Sequence, residues 1–157
     1  MIVVSDTSPL AYLVEIGVAD ALAELYGGVM IPTAVADELR HPSSPARQWF
    51  ASPPQWLTIT APNSSLPHLP LDDGELQAIA LAIELKAELI LIDERPGREA
   101  AKGLGLRVIG SLAVLVDGAA RGCFDGIAAL DRLAQTNFYV SPELMKVVRQ
   151  RIEKFQK

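Results

Sequence analysis

Cysteine is almost absent from this chain: Cys123 stands alone, so no disulfide can form within it. That usage fits a reducing compartment, and a lone thiol reads first as a small buried apolar side chain. Histidine is nearly as scarce. His41 and His68 both fall in proline-rich stretches, which leaves a zinc hydrolase or a histidine-based triad poorly supplied. No apolar run reaches the length of a membrane span, and the first residues lack the basic start and hydrophobic core of a secretion signal. A soluble, cytoplasmic protein is expected. Positive charge is short as well: 14 Lys and Arg against 19 Asp and Glu give a net charge of -5, which argues against one broad basic face for nucleic acid. It leaves room for clustered acids neutralised locally by metal ions.

What is present is apolar: half of the 157 residues, enough to bury a core without staples. No repeat, low-complexity segment or linker divides the chain, so 1–157 reads as one domain, with 125–157 a helical C-terminal extension. It opens on the β-branched run Ile2-Val3-Val4 and then Ser5-Asp6-Thr7-Ser8-Pro9. The run predicts a buried strand, and Pro9 predicts the first position of a helix over 9–16 with Ser8 as its cap. Asp6 is then left without a capping role.

Further along, periodicity predicts a helix over 18–26, a short strand over 29–31 and a helix from 33 to 40. A short helix over 46–50 follows, with Trp49 and Phe50 packing inward. The alternation over 56–61 predicts a strand at a sheet edge, and 62–71 a loop. A helix over 72–86 precedes Leu89-Ile90-Leu91-Ile92, whose apolar character marks a central parallel strand. Then come a helix over 94–103, a strand over 106–109, a helix from Ser111, as its cap, to 121, and helices over 125–136 and from Ser141 to the end. Strands alternating with helices predict an α/β fold: a three-layer α/β/α sandwich around a parallel sheet of four to five strands. Lys146, Arg149, Arg151, Lys154 and Lys157 crowd the last dozen positions. They read first as a solvated helix end and second as phosphate contacts.

Four acids carry the functional argument. Asp93 follows a buried strand as Asp6 does, and two carboxylates at one sheet edge repel unless a cation sits between them. The competing role for Asp93, capping the next helix, is weakened by Pro96, which removes one N–H such a cap would accept. Glu75 fits a capping box with Asp72, and equally it points from a first helical turn toward whatever lies before it. Glu38 borders a packed helix face, and position alone does not choose it over Asp37. Together these acids offer oxygen ligands suited to Mg²⁺ or Mn²⁺. One or two such ions would suit phosphodiester hydrolysis, with Ser5, Thr7 and Ser8 holding waters or a phosphate oxygen.

Val4-Ser5-Asp6-Thr7-Ser8-Pro9-Leu10, Ile31-Pro32 with Val35-Ala36-Asp37-Glu38-Leu39, Leu71-Asp72-Asp73-Gly74-Glu75, and Leu91-Ile92-Asp93-Glu94 with Gly97-Arg98 together resemble the PIN-domain family. More narrowly, they resemble its VapC-like toxin branch (DUF3368-like). The resemblance implies a metal-dependent endoribonuclease acting on single-stranded RNA. It implies catalytic roles for Asp6, Glu38, Glu75 and Asp93, choosing Glu38 over Asp37, and a Mg²⁺ or Mn²⁺ ion on Asp6, Glu75 and Asp93. Ser8 and Arg98 become candidates for substrate binding, and Ser111 for the edge of the site. A small antitoxin protein and a homodimer are the implied partners. The pattern departs from many members in having Glu at 75 for Asp, and no hydroxyl just before Asp93. The alternative is a catalytically inactive PIN-like module that docks a protein or RNA partner. An aspartyl-phosphate receiver is disfavoured, since no second acid stands two residues after Asp6.

Overall fold

Five short parallel strands form the spine of the structure, a computed structural model describing residues 1–66 and 68–156. They are β1 (Val3–Ser5), β2 (Val29–Ile31), β3 (Leu57–Ile59), β4 (Leu89–Leu91) and β5 (Val108–Ile109), in the order β3-β2-β1-β4-β5. β1 is central because Val3, Val4 and Ser5 are buried on both faces, and polar flanks such as Thr58 suit β3 to an edge. Val4 pairs with Met30 on one side and Ile90 on the other, and Ser5 with Leu91. The chain thus builds outward from β1 in one direction and then returns to add β4 and β5 in the other. Order reverses between β1 and β4, the place where open α/β sheets hold ligands beyond the carboxyl ends of their strands.

Nine helices are described: α1 (Thr7–Glu15), α2 (Ala21–Tyr26), α3 (Thr33–Arg40), α4 (Arg47–Phe50), α5 (Asp73–Leu85), α6 (Arg95–Gly103), α7 (Ser111–Ala120), α8 (Gly126–Ala134) and α9 (Pro142–Glu153). Strand alternation divides the core between them. Val4, Ile90 and Ile92 join Ala78, Ile79 and Ala82 of α5 and Ala101 of α6 on one face. Val3, Leu89 and Leu91 face the other, with residues of α1, α2 and α7. Leu130 and Leu133 of α8 and Val148 and Ile152 of α9 enter that same larger cluster. Among the described residues, no helix is long and apolar enough to cross a membrane.

Three local expectations are corrected. α1 begins at Thr7 rather than Pro9, because β1 runs straight into it through an extended Asp6 (φ -74, ψ 174) that occupies the N-cap position. Pro9 is then the third helical residue, still within the turn whose N–H groups have no intrahelical acceptor, so it costs the helix nothing. Ser8 is no cap. Ser111 is likewise the first residue of α7 and not its cap, which is Gly110. Cys123 is half-buried rather than buried. The basic C-terminal stretch lies on α9 and just beyond it, where Arg149 pairs with Asp131 at 2.5 Å; Lys157 lies outside the described residues.

A candidate acidic site at the carboxyl edge of the sheet

Asp6 is placed by the shortest route available, one residue past the end of the central strand, its N–H bonded to the Leu91 carbonyl at 2.9 Å. It is 5% exposed, and its side chain makes no capping bond to α1. Burial, reinforced by the negative charges of Glu75, Asp72 and Glu38, pushes its pKa up to about 8, against the opposing pull of the Thr7 amide. Among the described residues, none of the charges that weigh most on it is positive.

Glu75 has both roles that its sequence position allowed. It is the third residue of α5, and the capping box with Asp72 is complete: Glu75 N–H donates to Asp72 Oδ1 at 2.8 Å and Asp72 N–H to Glu75 Oε1 at 3.4 Å. Its other oxygen, Oε2, is buried and has no hydrogen-bond partner among the described residues. The residue is 5% exposed; burial, and after it the charge of Asp72, brings its pKa to about 7. A bare buried carboxylate oxygen is costly, and here it stands beside a second buried acid, Asp6, whose charge burial also opposes.

Glu38 reaches the edge from α3. The Thr7 hydroxyl donates to its Oε2, and the Gly74 amide also hydrogen-bonds it. Burial nonetheless leaves its pKa above the usual carboxylate range. Asp37, by contrast, has a side chain 71% exposed and sits in a surface pair with Arg40. Asp93 is held from the opposite side: the Ser111 N–H donates to Oδ1 and the Ser111 hydroxyl to Oδ2, each at 2.7 Å. It therefore caps α7 from across the edge, rather than α6. Burial raises its pKa, while Ser111 and the Arg98 charge work the other way. Arg98 is itself anchored, donating to the Ile92 carbonyl at 2.8 Å.

The structure thus brings Asp6 and Glu75 together with Glu38 next to them, and holds Asp93 on Ser111 and near Arg98. Among the described residues, no three Asp, Glu, His or Cys side chains converge closely enough to hold a metal ion as they stand. The donor chemistry is that of a hard cation all the same, oxygen throughout, and the bare Oε2 and the elevated Asp6 are the features a cation would satisfy. Asp6 and Glu75 are the residues placed to hold it; Asp93, with one Ser111 bond on each oxygen, keeps free lone pairs but does not group with them as it stands. Ser8 is half-exposed and lines, with Thr7, Tyr12 and Glu38, a recess of about 250 Å³.

Sequence reasoning missed three glycines here: Gly74 and Gly97 entered only as letters of motifs, and Gly110 not at all. A Cβ on Gly74 would lie 2.6 Å from Glu38 Oε1; one on Gly97 would fall on Glu75 Oε2; one on Gly110 would lie 2.8 Å from Asp93 Oδ1. Each carboxylate therefore rests directly on a neighbouring element's backbone. The available signal was Gly in the first turn of a helix at 74 and 97, where its poor propensity calls for a packing reason.

Ser111→Ala removes one of the two bonds that hold Asp93. The variant is expected to lose on the order of 2 kcal/mol in urea unfolding, the scale of a hydrogen bond to a charged group. The Asp93 carboxyl, followed by NMR titration, should move further up. An unshifted titration would mean that the hydroxyl does not restrain this acid.

Compared with known proteins, residues 2–154 match the family DUF3368, described as a PIN domain. A solved structure, a PilT N-terminus domain protein from the hyperthermophilic archaeon Sulfolobus solfataricus, is similar in fold at a TM-score of 0.52. The two are 23% identical, over 73% of this chain and 90% of that one. No curated protein matches.

Proposed function

The chain belongs to the PIN-domain family DUF3368, and on that footing we propose that it is a nuclease-type protein working at the acidic edge, as a metal-dependent endoribonuclease of single-stranded RNA. The observation that carries this reading is the buried Asp6 beside Glu75, whose Oε2 has no partner among the described residues. Asp6 and Glu75, joined by Asp93, would hold Mg²⁺ or Mn²⁺. Bound there, the ion would supply a lowered pKa for an attacking water and charge stabilisation at the scissile phosphate. Glu38, kept above the usual carboxylate range and oriented by Thr7, is suited to take the proton of that water. Ser8 and Arg98 would bind the substrate, a role supported for Ser8 by the recess it shares with Glu38 and for Arg98 by its place beside Asp93. The same reading includes a small antitoxin protein as partner, a homodimer and a cytoplasmic location.

A second reading is favoured by one specific observation, that no three ligands converge among the described residues. It is a PIN-like module that docks RNA or a protein partner without turnover, and it requires no movement of Asp93. The two part in one experiment: a panel of single-stranded RNAs incubated with Mg²⁺ or Mn²⁺ and the parent protein, Glu38→Gln or Asp93→Asn. Metal-dependent cutting that falls about a hundredfold or more in both variants, the scale of losing a charge-stabilising group, is expected. RNA binding with no cutting under any metal gives the site to the docking module. Cutting that survives both substitutions discards the acid assignment.

A further inference from the structure

A groove of about 820 Å³ runs along α7 from Gly110 to Ala120, closed on its other side by α9 and by Phe138 and Tyr139. A ten-residue helix makes it about 15 Å long. Leu112, Val116 and Val148 line it with aliphatic surface, and its lining also includes Arg151, Lys154 and Phe155. Asp93 and Arg98 line it too, so the groove opens on the acidic edge.

Two features select an occupant. In a chain of net charge -5, this groove gathers three cations, Arg98, Arg151 and Lys154, against Asp93 and Asp117. Next to them Tyr139 is 88% exposed and Phe155 51%, rings left in water with nothing packed over much of their surface. Exposed rings interleaved with cations are the surface that binds single-stranded nucleic acid, bases stacking on the rings while phosphates meet the cations. An aliphatic floor is indifferent to which base lies on it. A protein segment would use the same floor, but would gain less from two exposed rings set among cations.

We infer that the α7–α9 groove is the track for the single strand beyond the bond that is cut, with a base stacked on Tyr139 and phosphates on Arg151 and Lys154. This rests on the RNA-cleaving reading above, which names the substrate and the edge to which the track leads. It adds where the strand lies.

Fluorescence anisotropy with the full chain carrying Asp6→Asn, in Mg²⁺, measures binding of a short labelled single-stranded RNA without turnover. Tyr139→Ala in that background is expected to weaken binding about tenfold, the scale of one lost stacking contact. Arg151→Gln with Lys154→Gln should lower the slope of log affinity against log salt by about 1.4, two phosphates on a single strand. All three side chains sit at the surface, and an unchanged melting temperature checks the fold. RNA affinity and salt slope that match the parent in both variants overturn the inference. So does protection of Tyr139 by a bound protein segment while RNA binding is unaffected. Cleavage by the unsubstituted protein is scored separately: cutting with no effect of the groove variants sinks the track alone, whereas groove-dependent binding without cutting under any metal sinks the catalytic reading alone.

Discussion

Asp6→Asn is expected to abolish RNA cleavage and, in the absence of metal, to raise the melting temperature. The two effects have one origin. Asp6 titrates at about 8 in the folded chain against 3.8 for the free residue, chiefly through burial and then through Glu75, Asp72 and Glu38. Between those values the folded chain holds a proton that the unfolded chain has released, so stability falls as pH rises. The contribution is whole below about pH 4 and is lost as the pH passes through about 8. Glu75, at about 7 against 4.5, adds a loss of the same sign over a narrower window. Metal-free protein should therefore melt on the order of 5 °C or more lower near pH 8 than near pH 5. Mg²⁺ should restore most of that at the upper end and little at the lower, because only the ionised pair attracts it. Asn at position 6 cannot ionise, so the variant's melting temperature should depend much less on pH and respond weakly to the ion. Thermal unfolding across this range, with and without Mg²⁺, checks each part. A variant that melts below the parent near pH 8 without metal would show that Asp6 is stabilising there and would remove the argument for a cation. A protein that keeps two like charges in a buried edge gives up stability in this way.

Gly97→Ala should be nearly as damaging as losing an acid, although it touches no charge. Ordinarily this change stabilises a helix by about 1 kcal/mol. At Gly97 the new methyl would occupy the position of Glu75 Oε2 and stand 3.0 Å from Ile92 Cγ2. Gly97 is buried, and Ile92 belongs to the packed face beneath α5 and α6. Either the helix moves or Glu75 does. Overpacking of this kind costs about 1 to 3 kcal/mol, and a carboxylate displaced by about 1 Å can lose a hundredfold in turnover. Gly103 supplies the control in the same helix, since nothing lies within 4 Å of a Cβ there. Gly103→Ala should be neutral or slightly stabilising in urea unfolding and leave cleavage as it was. If the two variants behave alike, close packing on Glu75 is not what position 97 requires.

Much of this edge could be read from the chain because its causes are local. The β-branched run before Asp6 and the apolar run before Asp93 are strand signals that need no partner to be recognised, and the capping box around Glu75 spans four residues. Where the reading went astray, the deciding contact was distant. Ser8 and Ser111 have the residue type of a cap, but whether either one caps depends on where the preceding strand ends, and for Ser111 on an acid 18 residues earlier. Glu38 and Asp37 are alike by local pattern; what separates them is Thr7, 31 residues away, which meets one and not the other. The glycines at 74, 97 and 110 share that history, since a missing Cβ has meaning only against the group that fills its place. Tyr139, Arg151 and Lys154 come together with β5 and α7 only in the folded chain, and along the sequence their charges suggest no more than a solvated helix end.

Asp93 serves two structures with one pair of oxygens. As the cap of α7 it satisfies the Ser111 amide, one of the helix's otherwise unpartnered N–H groups, and α7 is the wall along which the long groove runs. A cation that drew Asp93 toward β1 would leave that amide to water and loosen the first turn of α7; a strand lying in the groove and bracing that turn would hold Asp93 back. By the reciprocity of linked equilibria, occupancy of the edge and occupancy of the groove must then each report on the other, with a single carboxylate as the currency between them.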